Sequence, residues 1–223
     1  MPAILGLSPF RNAYDVWLDK TGQLPDGAES DAAHAGNRFE AAVLDEAEER
    51  LGALVRNVQM AAPDGLPIVA TLDAMLRDSH EPVEAKTSGL FGPLSGEWGE
   101  EHTDEIPEAY IVQVQVQMLC ANANLAHVAA FLGGRGFAFY RVHRNRDLAQ
   151  IIVERIMDFW TNHVGKGVPP ADVAPSYDVI RLARRVPEST AYIDPAIYAE
   201  CQAAIEARKI AEQNEEMAKA KLL

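Results

Sequence analysis

Cysteine is nearly absent: the 223-residue chain holds two, Cys120 and Cys201. They lie far apart and share no metal-ligand spacing, which argues against a disulfide framework, a zinc site or an iron–sulfur cluster and for two isolated thiols. Long apolar runs are also missing. No stretch reaches the roughly 20 residues of a membrane span, and the start lacks the basic segment and apolar stretch that mark export. The expected location is therefore the cytosol. Basic side chains are the third shortage: Lys and Arg total 20 against 33 Asp and Glu, for a formal net charge of −13. That balance opposes a polyanionic partner, whose affinity normally comes from Lys and Arg. The shortage is uneven, however. Residues 1–109 hold 7 basic and 21 acidic side chains, whereas residues 110–223 hold 13 and 12.

What is present includes enough apolar material, 48% of residues, to bury a sizeable core. Val83-Glu84-Ala85-Lys86-Thr87 reads as a strand, so Glu84 and Lys86 point to one face and Val83, Ala85 and Thr87 to the other. Asp73 sits in another β-branched, apolar run, Ile68–Leu76, where burial would cost several kcal/mol without a cation or donor to compensate it. Two carboxylates on neighbouring strands suit a hard cation such as Mg2+, which takes oxygen ligands and completes its shell with water and phosphate. Lys86 beside them can orient water or donate to the same phosphate oxygens, a set suited to cutting phosphodiester bonds. The plainer reading of Glu-X-Lys is a solvated cross-strand pair.

Upstream, Gly36-Asn37-Arg38-Phe39-Glu40 is predicted to open a helix with Phe39, Ala42, Val43, Ala47 and Leu51 at helical spacing, stopped by Gly52, with Glu40 in its first turn. Downstream, Ile111–Leu119 alternates glutamine and valine, fitting strand and helix periods alike. The preceding Pro107-Glu108-Ala109-Tyr110 and the following Met118–Ala121 favour a helix over Tyr110–Ala121. On that helix Tyr110, Gln113 and Gln117 share a face and would aim a phenol and two amides into the site.

Further elements are expected as follows. A short helix begins at Tyr14; strands run over Leu54–Met60, Ile68–Leu76 and Pro82–Lys86, with a Pro63-Asp64-Gly65 turn between the first two. A hairpin joins His127–Leu132 to Ala138–His143 through Gly133-Gly134-Arg135-Gly136, and a helix capped by Asp147 runs to Trp160. The core is expected to end near 170. Residues 171–223 would form a Pro-rich linker and a helical tail from Pro195, without a sustained heptad. Arg135, Arg141, Arg144 and Arg146, with Phe139 and Tyr140 interleaved, could line a DNA channel or a solvated strand edge. The acidic loop from Glu97 to Glu108 reads as solvated and flexible, and His34, His80, His127, His143 and His163 show no paired metal spacing.

Taken in order, Ile4–Arg11, Gly36–Glu40, Thr71-Leu72-Asp73, Glu84–Thr87, Trp98-Gly99-Glu100 and Ile106–Gln115 resemble the phage-type YqaJ recombinase nucleases. These are relatives of the bacteriophage lambda exonuclease in the restriction-endonuclease-like PD-(D/E)XK superfamily. The resemblance runs from Ala3 to about Pro170. It implies an α/β (α+β) fold with a mixed central sheet flanked by helices, here followed by a C-terminal helical extension. It further implies Asp73 and Glu84 as metal ligands, Glu40 as the helix-borne acid completing that site, Lys86 as the catalytic lysine, and Tyr110 and Gln113 beside the centre. The implied activity is Mg2+-dependent digestion of linear duplex DNA from the 5′ end, leaving 3′ overhangs, with two ions accommodated and Mn2+ able to substitute. The implied partners are duplex DNA, a single-strand annealing protein and two further copies in a closed trimer. The arginine and Gly-Ser-Asp-like turn that family members carry before the segment matching Ile4-Leu5-Gly6 have no counterpart here, so Arg11 and Arg38 are the stand-ins for a terminal phosphate contact. An end-independent endonuclease and a non-catalytic DNA-binding or assembly module are the alternative readings.

Overall fold

The computed structural model describes residues 1–24, 31–63, 65–171, 173, 174, 176 and 192–221. Asp64 of the expected turn and most of the expected linker lie outside these residues. One compact unit spans Met1–Ala183 and another Arg184–Leu223.

In the first unit, helices α1 (Ala13–Lys20) and α2 (Asp31–Leu51) precede strands β1 (Leu54–Ala61), β2 (Val69–Leu76) and β3 (Pro82–Ser88). Helix α3 (Glu108–Ala121), strands β4 (Leu125–Leu132) and β5 (Gly136–His143) and helix α4 (Arg146–Phe159) follow. The five strands lie in sequence order in one sheet. Every pairing is antiparallel except β3 with β4, where Val83 lies opposite His127 and Ser88 opposite Leu132. A parallel neighbour requires a crossover, and α3 provides it.

Helix α2 covers one face of the sheet: Val43, Leu44 and Ala47 pack on Ala74, Val83, Ala85, Ala129 and Phe139. Helix α3 covers the other, with Val114 and Met118 on Val128, Ala130, Tyr140 and Val142. Its remaining apolar side, Val112, Val116, Leu119 and Cys120, meets Ile152 of α4. Apolar contact on nearly every side explains why α3 lacks the polar stripe of a surface helix. It also resolves the glutamine–valine alternation. Gln113 and Gln117 project into the site, and Gln115, two residues and about 200° round the helix from each of them, faces away. There its amide donates to the His143 carbonyl at 2.8 Å and accepts from the Asn145 amide at 2.9 Å.

Three expectations need correction. Helix α2 starts at Asp31, not Gly36. Gly36 lies inside it, where a Cβ would come 3.6 Å from the Thr87 hydroxyl, an ordinary contact distance that places the helix directly over β3. The cap of α4 is Asn145, which accepts from the Leu148 amide at 3.0 Å, with Asp147 in the first turn. The loop before α3 is a built piece of structure. His102 donates its amide to the Phe139 carbonyl at 2.7 Å and the Arg141 amide donates to Thr103 at 2.9 Å, covering the outer edge of β5. Gly99 in that loop lies so close to Glu105 that a Cβ would overlap its carboxylate at 2.0 Å.

Residues just past 170 are tied to α1: Asn12 donates to the Ala174 carbonyl at 2.9 Å, and the Ser176 amide donates to buried Asp15 at 2.8 Å. In the second unit, α5 (Pro195–Ala220) has Asp194 as its cap and Pro195 in its first turn, as expected for the tail. No helix among the described residues is long and apolar enough to cross a membrane.

Candidate active site

Strands β2 and β3 pair only at Ala74 with Val83 and Met75 with Pro82, then diverge. Ala85 therefore has no ladder partner on β2, and its amide donates to Asp73 Oδ2 at 2.9 Å. One carboxylate closes the fork between two strands. A cavity of about 330 Å³ opens there. Helix α2 contributes Gly36, Asn37 and Glu40 to its wall, β2 contributes Asp73, β3 contributes Glu84 to Thr87, and α3 contributes Gln113.

Glu84 has 1% of its side chain exposed. A buried carboxylate needs donors, and three surround it. Lys86, two residues along the strand and on the same face, bonds and ion-pairs with Oε1. Gln113 also donates to Oε1, and Gln117 donates to Oε2, each at 2.5 Å. The carbonyl oxygen of the buried Gln117 amide has no partner among the described residues. Tyr110 packs on Lys86, its ring centroid 5.0 Å from the ammonium.

Burial, reinforced by the negative charge of Glu84, pushes Asp73 up to about 7, against the opposing pull of the Ala85 amide and Lys86. Burial alone would lower Lys86, but the charge and hydrogen bond of Glu84 outweigh it and raise its pKa, so the group is held as an ammonium. Tyr110 is raised by burial and by Glu84, with Lys86 opposing.

The donor chemistry fits a hard divalent cation. Two carboxylates share one polar cavity, and their mutual repulsion is the kind a dication relieves. Among the described residues, no group of three or more His, Cys, Asp or Glu side chains stands close enough to hold a metal by itself. Asp73 and Glu84 are the closest carboxylate pair to the fork, with Glu40 on the facing wall of the same cavity. The charge of Glu40 adds to the negative field on Asp73. Water and phosphate oxygens would fill the rest of a Mg2+ shell.

The structure brings together Glu40, Asp73, Glu84, Lys86, Tyr110, Gln113 and Gln117, and adds Asn37. Gln117 was readable from its helical spacing to Gln113. Asn37 was hidden by the misplaced helix start. The arginines are not brought together. Arg135 gives its guanidinium to the Trp98 and Gly99 carbonyls, both at 2.9 Å, and so anchors the edge loop. It lies at the turn end of the β4–β5 hairpin. Arg144 and Arg146 lie past the opposite end, about 25 Å away for an eight-residue strand, and Arg141 is exposed near that end of β5. Arg11 bonds the Asp15 carbonyl and lies 3.6 Å from Asp19, while Arg38 is exposed on α2. These arginines are thus spread along the hairpin and α1–α2 rather than gathered at the pocket.

Comparison with known proteins gives a concordant picture. The family model of the YqaJ-like viral recombinase domain matches residues 1–124. The chain is 35% identical over 173 residues, 75% of its length, to the uncharacterized protein YqaJ of Bacillus subtilis (strain 168). That match covers 53% of the relative, so the chain spans about half the length of the curated protein it matches. Among solved structures, its fold is similar to that of LHK-Exo, an alkaline exonuclease from Laribacter hongkongensis, in complex with dAMP. The TM-score is 0.57 at 17% identity, over 74% of this chain and 85% of the other. It is also similar in fold to a phage-related exonuclease from Haemophilus somnus 129PT, with a TM-score of 0.51 at 14% identity over 70% and 82%.

Proposed function

The chain belongs to the YqaJ-like viral recombinase family, and from that premise we propose that it is a Mg2+-dependent deoxyribonuclease that digests linear duplex DNA from the 5′ end and leaves 3′ single-stranded overhangs. The observation that carries this reading is the buried Asp73–Glu84 pair with Lys86 in the fork of β2 and β3. The exonuclease names of the structural neighbours support it at the level of fold.

In this reading Asp73 and Glu84 hold the cation, which supplies concentrated positive charge where negative charge grows on the phosphate oxygens. Gln113 and Gln117 fix the rotamer of Glu84, so its carboxylate is oriented before substrate arrives. Lys86, kept protonated by Glu84, donates to a phosphate oxygen or to the attacking water. Tyr110 packs against the lysine and limits its travel. Mn2+ would substitute for Mg2+, a closed trimer and a single-strand annealing partner go with the lambda-exonuclease resemblance, and the site of action would be the cytoplasm.

The test is digestion of end-labelled linear duplex with Mg2+, with either a 5′ phosphate or a 5′ hydroxyl, beside a covalently closed circle. Progressive loss from 5′ ends with the circle untouched is expected, and Asp73→Ala and Lys86→Ala should each lower the rate at least 100-fold while remaining folded. Nicked circles would make the protein an endonuclease on the same fold. Metal and DNA binding without turnover would leave a binding module.

A further inference from the structure

A line of aromatic rings runs away from the catalytic pocket on the α2 side of the sheet. Thr87, a pocket residue on β3, is the register partner of Phe131 on β4, which is in turn the partner of Phe137 on β5. Each step is one strand spacing, about 4.8 Å. Phe137 meets Phe131 edge-on, with centroids 5.2 Å apart. Phe39 of α2 stacks on Phe131 at 6.0 Å with the planes only 9° apart. Phe131 and Phe137 are half-buried, whereas Phe39 is 51% exposed. The row is therefore anchored in the core at one end and offers a ring to solvent at the other. Phe39 stands immediately before Glu40 and two residues after Asn37, both of which line the pocket.

Packing alone does not call for this arrangement. The neighbouring core positions under α2 are Val43, Leu44 and Ala47, all nearly fully buried, while the largest apolar side chain on that helix remains half in water. A flat, rigid, exposed ring backed by a second parallel ring is the arrangement that receives an unstacked nucleobase. Such stacking is indifferent to sequence, because every base has a π face. It also needs no positive charge, which suits a site region with few cations.

Resting on the nuclease reading, we propose that Phe39, backed by Phe131, is a base-stacking shelf that holds the unpaired terminal nucleobase of the DNA strand entering the pocket. The shelf would keep the end of the strand from re-pairing and hold its backbone beside Asp73 and Glu84. Phe39 is thus a positioning residue, acting on the base while the pocket acts on the phosphate.

The test uses the full chain and a short duplex carrying 2-aminopurine as the terminal base, whose fluorescence is quenched by stacking. Phe39→Leu keeps the apolar contact with Phe131 but removes the exposed ring; Phe39→Trp restores a ring. The parent should quench the probe with Ca2+ present, Phe39→Leu should not, and Phe39→Trp should. In digestion with Mg2+, Phe39→Leu should raise KM about tenfold, the scale of one base stack, with a far smaller change in kcat, and Phe39→Trp should return KM close to the parent value. A parent that cuts DNA while Phe39→Leu retains its KM and its quenching overturns the shelf and leaves the nuclease reading intact. A parent that quenches the probe through Phe39 but cuts nothing sustains the shelf as a binding site and overturns the nuclease reading.

Discussion

Asp73 is where sequence logic and structure meet most closely at the scale of single residues. A carboxylate in an apolar strand was readable as a group needing compensation, and its partner amide on Ala85 exists because two strands diverge. The divergence itself was not readable, since strand pairing length is set by what packs on both faces. The same residue yields a stability prediction with a definite sign. Its pKa is raised to about 7 in the folded chain, against an ordinary value of 3.8 when unfolded. The favourable contribution is fully present below about pH 4. It is lost as pH rises towards 7, because the unfolded chain ionises first. Above that range the metal-free protein carries a penalty on the order of a few kcal/mol. Asp73→Asn should therefore stabilise the metal-free protein at pH 8 while abolishing cleavage, and the gain should shrink towards zero at pH 4. Urea midpoints in EDTA at the two pH values measure this; an identical pH dependence in parent and variant would contradict it.

At the level of elements, α3 was the ambiguous one, because alternating glutamine and valine satisfies a strand period over five residues. The helix prevailed because a parallel β3–β4 pair needs a crossover, and because all three amides find partners only with helical spacing: Gln113 and Gln117 on Glu84, and Gln115 on the backbone before α4. The two faces predict opposite phenotypes. Gln115→Leu takes away the hydrogen-bond partner of the His143 carbonyl and the Asn145 amide in a part-buried spot beside α4. It should cost about 2 kcal/mol, lowering the melting temperature, with kcat per folded molecule near normal. Gln117→Leu removes a donor from buried Glu84. It should lower kcat at least tenfold, with a weaker effect on DNA binding than on turnover. Exchange of these phenotypes would mean that the helix is rotated from the orientation described. The start of α2 was missed for a related reason. A glycine often marks a helix end, whereas Gly36 sits inside α2.

For the whole molecule, the composition exposes a conflict that the site resolves. On the proposed reading, a chain of net charge −13 must approach a polyanion. The basic residues clustered in sequence are split between the two ends of the β4–β5 hairpin, and Arg135 is committed to loop carbonyls. Among the described residues that line the pocket, Lys86 is the one cationic side chain, and it is already paired with Glu84. Without a cation, phosphate entering there meets Glu40, Asp73 and Glu84. DNA affinity should therefore depend more on divalent ions than on arginine. Fluorescence anisotropy in EDTA should give weak binding, and Ca2+, which can occupy oxygen sites, should strengthen it at least tenfold. Counterion release scales with the number of phosphates neutralised, so the slope of log affinity against log salt should be shallow, roughly −2 to −3 per protomer. Arg135→Ala should leave that slope unchanged and destabilise the fold by about 1–3 kcal/mol, because its lost bonds are internal. Steep salt dependence combined with indifference to Ca2+ would instead place the main DNA contact on a basic surface away from the fork.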